Sequence, residues 1–253
     1  MGRLLRIQDR ILLVLADIGD LFEMARDPGG ILGNYYQIVY GWVPYRYRKS
    51  NFKDRIRRML KVGYIEKIVK NGQPYLRLTS QGKKRIIRDF PLLALREKKW
   101  SGIGTLVSFD IKEVERVVRA KLRRLLLNGG AGQVQLSVYL FAYDLRVEVM
   151  EMIEALGLEE SVKVFPVTFD CIKDKEAFAR RVWRLDRLEE AYQKILDKFE
   201  ELEKIGHKER ERLIKEIKCN FLDVITSDPF LPKAFLPNGW VGEKVQRLIK
   251  TLS

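Results

Sequence analysis

The sequence is poor in the residues that build metal sites, disulfide frameworks and membrane spans. Among its 253 residues are one histidine, His207, and two cysteines, Cys171 and Cys219, which are far apart and outside any CxxC or Cys/His pattern. A histidine-rich metal site and a disulfide framework are therefore not indicated, and we interpret both cysteines as small buried apolar residues. No apolar run approaches the roughly 20 residues that cross a bilayer, and the first ten residues carry charges, so we expect a cytoplasmic protein without a membrane partner.

Motifs of several common enzyme chemistries are also missing. The sequence contains no GxxxxGK(S/T) phosphate loop, no GxSxG nucleophile elbow and no HExxH zinc motif. The paired glycines at 29–30 and 129–130 are too isolated for a phosphate-binding loop and indicate turns. We therefore expect neither an enzyme of these classes nor a cofactor.

Positive charge is in excess and is unevenly distributed. The formal net charge is +14, and residues 1–90 hold 19 Lys and Arg against 8 Asp and Glu. The remaining 29 basic and 26 acidic residues nearly balance. A basic excess in one part of a chain is typical of a domain that meets a polyanion, so the N-terminal third is the candidate for nucleic-acid binding.

Residues 1–90 combine helical periodicity with a hairpin pattern. Apolar residues at helical spacing predict a first helix over 3–18, and a second, basic helix over 52–62 has Asn51 as its candidate N-cap. Alternating residues then flank Asn71-Gly72, a strong signal for a hairpin turn, and Thr79 is placed to cap a closing helix over 81–88. This order predicts a winged helix-turn-helix domain, with the hairpin as the wing.

The cations of the second helix and the wing are the candidate DNA contacts. Exposed Lys and Arg on an amphipathic helix are usually only a solvated face, but here they stand in the DNA-reading position of the helix-turn-helix pattern. Arginine can bind guanine with two hydrogen bonds, and lysine neutralises phosphate. The predicted contacts are Lys49, Lys53, Arg55, Arg57, Arg58, Lys61, Lys67, Lys70 and Asn71.

The middle of the chain changes to strand and helix patterns in alternation. A strand is predicted over 103–109, an amphipathic helix follows from Ile111 to Leu125, and strict alternation predicts one strand over 133–141. Another helix, from Leu145 to Leu156, and a strand over 162–169 complete the pattern. It predicts a ferredoxin-like α+β domain over residues 100–169.

The remaining residues, 170–253, predict a helical domain. One long apolar stripe runs from Phe178 to Leu202, and a second runs from Leu213 to Val224, so two helices are expected to form a hairpin. The break between them lies near Gly206, where we expect His207 to be an exposed hinge residue. A proline-punctuated segment over 228–237 then leads to a last helix.

Motifs in three segments carry a family resemblance. In the first, the basic helix precedes Gly63-Tyr64-Ile65-Glu66, a hairpin and Arg77-Leu78-Thr79. In the second, Val107-Ser108-Phe109-Asp110-Ile111 and Gln135-Leu136-Ser137-Val138-Tyr139 look like strands of Cas2-like domains. In the third, Ser227-Asp228-Pro229-Phe230-Leu231-Pro232 with Phe235-Leu236-Pro237, Trp240 and Gly242 resembles a DPxLP...LLPxxWxG motif. Over nearly its whole length the chain thus resembles PaaX-family transcriptional regulators.

This resemblance implies a function and partners. It implies a sequence-specific regulator, in particular a repressor, that binds double-stranded DNA as a homodimer on a palindromic operator. Two-fold symmetry of the protein is mirrored in the operator of most helix-turn-helix dimers. The resemblance also implies release from DNA by a small acyl-CoA-like metabolite, whose identity no residue indicates.

Asp110 supports an alternative function. In Cas2 nucleases an aspartate at this strand end is associated with a divalent metal and phosphodiester cleavage, so a metal-dependent nuclease or a CRISPR-adaptation protein is the alternative. The simpler interpretation, which we prefer, is that Asp110 caps a helix beginning near Lys112 and stabilises its dipole. Glu113 and Glu115 would belong to that helix and would not supply a second ligand.

An aromatic stretch within residues 31–47 allows two interpretations. Its side chains could stack on nucleic acid or at a subunit interface, or they could fill the core of the domain and cover its first helix, which we prefer. The residues concerned are Tyr35, Tyr36, Tyr40, Trp42, Tyr45 and Tyr47.

Overall fold

The described part of the chain contains both helices and strands, as the sequence predicts for an α+β protein. The computed structural model describes residues 5–17, 42, 44, 49–70 and 73–252. In chain order, the described helices and strands are α1 (Ile7–Asp17), α2 (Lys49–Val62), β1 (Ile65–Lys70), β2 (Gln73–Leu78), α3 (Ser80–Asp89), β3 (Ile103–Phe109), α4 (Arg116–Asn128), β4 (Gly132–Gln135), β5 (Val138–Phe141), α5 (Arg146–Glu154), β6 (Val162–Thr168), α6 (Lys175–Trp183), α7 (Leu185–Leu202), α8 (His207–Ile225) and α9 (Val241–Thr251). Short 3₁₀ turns lie at Pro91–Glu97, Glu113–Glu115 and Lys233–Phe235.

The chain forms two compact units, and each is built from segments that are not contiguous in the sequence. The first unit comprises Met1–Phe90, Glu189–Thr226 and Val241–Ser253, and the second comprises Pro91–Leu188 and Ser227–Trp240. The stretch 170–253, predicted as one helical domain, therefore contributes to both units. Sequence periodicity identifies helices but gives no information on which neighbour each helix packs against, so this division was not predictable from it.

In the first unit, the elements predicted for the wing are present. The strands β1 and β2 pair antiparallel, from Ile65 opposite Leu78 to Lys70 opposite Gln73. Asn71 and Gly72, the predicted turn, lie outside the described residues. The helix α2 begins at Lys49, so Asn51 lies inside the helix and is not its N-cap as predicted.

The second unit contains a four-stranded antiparallel sheet of order β4-β5-β3-β6. The helices α4 and α5 each connect two strands, and the resulting β-α-β-β-α-β order is ferredoxin-like, as predicted. The edge strand β6 pairs with β3 in a register that places Thr105 opposite Pro166. Its exposed face includes Phe165, of which 49% is accessible to solvent.

The single strand predicted over 133–141 is wrong, because this segment is a hairpin. The chain turns at Leu136 and Ser137, between β4 and β5. Val134 and Leu136, which the alternation placed on a buried face, are 38% and 79% exposed. The pairing of β4 with β5 is irregular between Gln133 and Gln135. Apolar residues alternate in the sequence straight through the turn, so the alternation alone gave no sign of it.

The long helical stripe predicted from Phe178 to Leu202 is interrupted. Arg184 has φ 57° and ψ 46°, a left-handed conformation that ends α6 before α7 begins at Leu185. Asp174 caps α6 by accepting a hydrogen bond from the amide of Ala177. The predicted break near Gly206 is confirmed, since Gly206 is the N-cap of α8.

The proline-punctuated segment contributes to the core of the second unit. Asp228 is buried and accepts a hydrogen bond from the amide of Phe230, which has φ 47°. The ring of Phe235 is fully buried and contacts three other aromatic rings, those of Trp100, Phe169 and Trp183. The prolines restrict the backbone of this segment, and its aromatic side chains pack in the core of the second unit.

A buried cation of α1 binds polar groups of α8 within the first unit. The guanidinium of Arg10, 1% exposed, donates to the carbonyl of Cys219 and to the carboxylate of Asp223. Cys219 is buried as predicted, but Cys171 is exposed, so the prediction for Cys171 is wrong. It lies in the turn that follows β6.

Candidate nucleic-acid interface

The basic helix α2 is amphipathic. Ile56 and Met59 are 2% and 4% exposed and attach the helix to the core of the first unit. Apolar residues three apart lie on one side of a helix, so the intervening positions face outward. The sequence therefore determines which side of α2 is available to a partner.

Four of the predicted contact residues lie on the outward side of α2. The side chains of Arg55, Arg57, Arg58 and Lys61 are exposed. Arg57 forms an ion pair of 3.6 Å with Asp54, but both side chains are more than 60% exposed, so this pair is weak and can open. Lys49 and Lys53 lie in the same helix, but their side chains are outside the described part of the structure.

The described part of the hairpin adds a further predicted contact to the candidate interface. Lys67 on β1 is exposed, while Arg77 and Glu66 form a cross-strand ion pair of 2.8 Å. Lys70 ends β1, but its side chain, like the whole of Asn71, lies outside the described residues. Of the nine predicted contacts, the structure thus describes five side chains, all of them exposed.

Helix α3 supports the base of the wing. A Cβ on Gly82 would lie 2.2 Å from the carbonyl oxygen of Tyr64, so only glycine permits this close approach. The hydroxyl of Thr79 accepts from the amide of Gly82, which confirms the predicted cap. Arg85 lies over the ring of Tyr64 and donates to its hydroxyl, and its second partner is Asp89. These contacts hold the start of β1 against α3.

The sequence analysis did not single out the cations of α3. Lys83, Lys84 and Arg88 are exposed on this helix, in the same unit as α2. The signal was available, because the segment from Lys83 to Arg88 contains four basic residues and no acidic one.

Two sequence matches identify the family. Residues 97–179 match the PaaX protein central Cas2-like domain, and residues 183–253 match the PaaX-like protein C-terminal domain. The chain belongs to the PaaX family. Its family domains are consistent with a transcriptional regulator and suggest a regulator rather than an enzyme. Both matches begin after residue 96, so the DNA-binding assignment of the N-terminal part depends on its own elements.

A solved structure supports the fold of this PaaX-family chain over almost its full length. The uncharacterized protein Rv0674 from Mycobacterium tuberculosis superposes with a TM-score of 0.58 at 16% sequence identity, covering 95% of this chain and 94% of that one. At this identity the likeness concerns the fold alone. No curated protein matches the sequence significantly.

Asp110 does not cap a helix as predicted. Helix α4 begins only at Arg116, with Glu115 at its N-cap position and no side-chain hydrogen bond there. The intervening 3₁₀ turn at Glu113–Glu115 separates Asp110 from the helix. Asp110 is exposed, and its amide donates to the carbonyl of Ser161 at the end of the β3–β6 ladder. Its carboxylate is therefore free to meet solvent.

Two features, a candidate metal site and a membrane-crossing helix, are absent from the described residues. These residues contain no group of three or more His, Cys, Asp and Glu side chains that could hold a metal ion. None of their helices combines the length and apolar character that crossing a membrane requires. Of the aromatic stretch, Trp42 is buried at 1% exposure, and the tyrosines lie outside the described residues.

Proposed function

We propose that this chain is a sequence-specific DNA-binding repressor that acts as a homodimer on a palindromic operator. The observation that carries the proposal is the exposed cationic side of α2, followed directly by a hairpin with an exposed lysine. A helix with two arginines next to each other at positions 57 and 58 can present guanidinium groups both to base edges and to the flanking phosphates. Membership of the PaaX family supports the same function.

The test begins with selection of binding sites from a random pool of duplex DNA by the full-length protein. We expect a single enriched motif with two-fold symmetry, since a homodimer reads two equivalent half-sites. Failure to enrich any motif under low-salt conditions would contradict sequence-specific binding. An enriched but asymmetric motif would contradict the palindromic operator while leaving DNA binding in place.

The surface is tested with Arg57→Ala/Arg58→Ala on the selected site. We expect a loss of about 1 to 3 kcal/mol for each arginine that reads a base, together with relaxed sequence preference. Lys194→Ala/Arg212→Ala is the matched control, because both residues are exposed on α7 and α8 and the change in net charge is equal. Wild-type affinity and preference in the Arg57/Arg58 variant would show that α2 is not the reading helix.

The homodimer is tested by sedimentation equilibrium at micromolar concentration. We expect twice the chain mass of 29.7 kDa. A monomer both with and without the selected DNA would remove the symmetry argument for the operator.

A further inference from the structure

Helix α4 of the second unit has an extreme charge for its surroundings. Its 13 residues include five cations and no acidic residue. Residues 91–253 as a whole hold 29 basic and 26 acidic residues, and α7 holds three cations against six acids. The excess on α4 is therefore local to one helix and is not a property of the region.

The inward side of α4 is firmly anchored. Leu122 and Leu126 are completely buried. The guanidinium Nε of Arg123 donates a hydrogen bond of 2.8 Å to the hydroxyl of Tyr139, a buried residue of β5. Arg123 thus has a structural partner in the sheet, and the helix presents its exposed cations on a rigid element.

Three cations remain on the outward side of the helix. Arg116, Lys121 and Arg124 are exposed, and none of them forms an ion pair or hydrogen bond with a described side chain. Arg116 and Arg124 are separated by about 12 Å along the axis at 1.5 Å per residue, and Lys121 lies between them. This span is comparable to the width of the major groove, so the three groups can reach more than one phosphate.

Like charges at neighbouring positions oppose the folding of this helix. Lys121 and Arg124 are three residues apart, and same-sign pairs at this spacing repel each other on a helix surface. An exposed helix without function normally intersperses acids with bases, as α7 does. A polyanion bound along the helix would remove the repulsion and release its own counterions.

We propose that the outward side of α4, formed by Arg116, Lys121 and Arg124, is a second DNA-contacting surface that binds backbone phosphates without reading sequence. The choice of DNA as the polyanion rests on the proposed function. The surface belongs to the second unit, whereas α2 belongs to the first. Exposed valines beside it, Val114 and Val117, make a second copy of the chain the competing occupant, which the experiment distinguishes.

The test compares the salt dependence of DNA binding by the full-length wild type and by Lys121→Gln/Arg124→Gln. Binding is measured by fluorescence anisotropy on the selected site and on an unrelated duplex of equal length. We expect the slope of log K against log salt to fall by about 1 for each cation that contacts a phosphate. The loss should be the same on both duplexes, so the ratio of their affinities stays at the wild-type value.

The control is Lys194→Gln/Arg212→Gln, which removes equal charge from two other helices. An equal fall of the slope in this control would overturn the proposal, because general charge would then explain the effect. An unchanged slope in the α4 variant, with binding still lost in Arg57→Ala/Arg58→Ala, would overturn it while the proposed function stands. A wild type that binds no DNA would overturn both.

Two further measurements keep the outcome interpretable. Urea unfolding of the α4 variant should give a midpoint at or slightly above the wild-type value, since both side chains are exposed and their mutual repulsion is removed. The single Arg124→Gln replaces the double variant if the midpoint falls. Sedimentation equilibrium without DNA should show an unchanged oligomeric state. A variant that changes from dimer to monomer would assign the surface to a second copy of the chain and overturn the DNA assignment.

Discussion

The two basic helices, α2 and α4, are built alike but sit in different contexts. Each buries two large apolar side chains and exposes cations on the opposite side. Helix α2 precedes a hairpin in residues 1–90, where 19 basic residues outnumber 8 acidic ones, whereas α4 connects two strands of a ferredoxin-like domain in a segment of nearly balanced charge. A strongly charged helix can therefore lie within a segment whose average charge is close to zero.

Charge reversal should give the largest difference between the two helices in their effect on DNA binding. Arg55→Glu/Arg58→Glu on α2 should weaken binding to the selected site by about 2 kcal/mol or more, because a base-reading arginine contributes about 1 to 3 kcal/mol. Lys121→Glu/Arg124→Glu on α4 should weaken binding to every duplex equally. Anisotropy titrations on the selected and a scrambled duplex measure both effects.

The contrary outcome is a loss of sequence preference in Lys121→Glu/Arg124→Glu. Such a loss would mean that α4 reads bases, and the distinction between a reading helix and a phosphate-contacting helix would be wrong. Lys194→Glu/Arg212→Glu controls for the change in net charge.

Truncating a buried apolar side chain of either helix should lower stability without changing the sequence preference of DNA binding. Leu122→Ala on α4 and Ile56→Ala on α2 each empty a site that is at most 2% exposed, so each should lower the free energy of unfolding by about 2 to 5 kcal/mol. Urea denaturation followed by circular dichroism measures the loss. A change below about 1 kcal/mol for Leu122→Ala would show that α4 is not anchored as described.

Part of the secondary structure was predictable from the sequence. Alternation gave the exact bounds of β3, and Thr79 marked the start of α3, because period and cap chemistry are local properties. The apolar stripe through Ile111 and Leu122 overestimated α4, since Val114 is 88% exposed and the helix begins later. A 3₁₀ turn is not distinguishable from a first helical turn by spacing alone.

Other features were beyond any local signal. The turn between β4 and β5 at Leu136 and Ser137 has neither glycine nor proline, and Arg184 adopts a left-handed conformation that favours glycine or asparagine. For the candidate interface, the sequence named the exposed cations of α2. It did not reveal those of α4, because their significance depends on which side of the helix is buried.

Helix α8 carries a buried cation, unlike the exposed cations of α2 and α4. Lys218 on α8 is 7% exposed, its Nζ lies 5.3 Å from the centre of the Trp42 ring, and burial lowers its pKa to about 8. The unfolded state then binds more protons between this pKa and the ordinary value of 10.5, so stability should rise as pH rises from about 8 to about 10.5.

Lys218→Met should remove this pH dependence and stabilise the protein at neutral pH. The expected gain is roughly 2 to 3 kcal/mol, reduced by loss of the contact with Trp42. Urea titrations at several pH values give the result. The exposed residue Lys194, changed to Met, should leave the pH profile unaltered, and a neutral-pH loss of stability in Lys218→Met would contradict the cost assigned to burial.

The smallest effect distinguishes neighbouring arginines on α4. Arg123→Met breaks the hydrogen bond to the hydroxyl of Tyr139 and should cost about 1 kcal/mol of stability. Arg124→Met should cost nothing measurable but should lower the salt slope of DNA binding. Reversed results for the two variants would show that the inward and outward sides of the helix are misassigned.

Pro166 on the edge strand β6 has a consequence for aggregation. The amide of Asp110 bonds to Ser161, and hydrogen-bonded pairs alternate along an antiparallel ladder, so the nitrogen of Pro166 points away from β3 toward the open edge. This nitrogen carries no hydrogen, and an incoming strand would leave one of its own carbonyls unpaired there. The fold thus discourages other chains from extending its sheet, although Phe165 offers an apolar side chain beside the same edge.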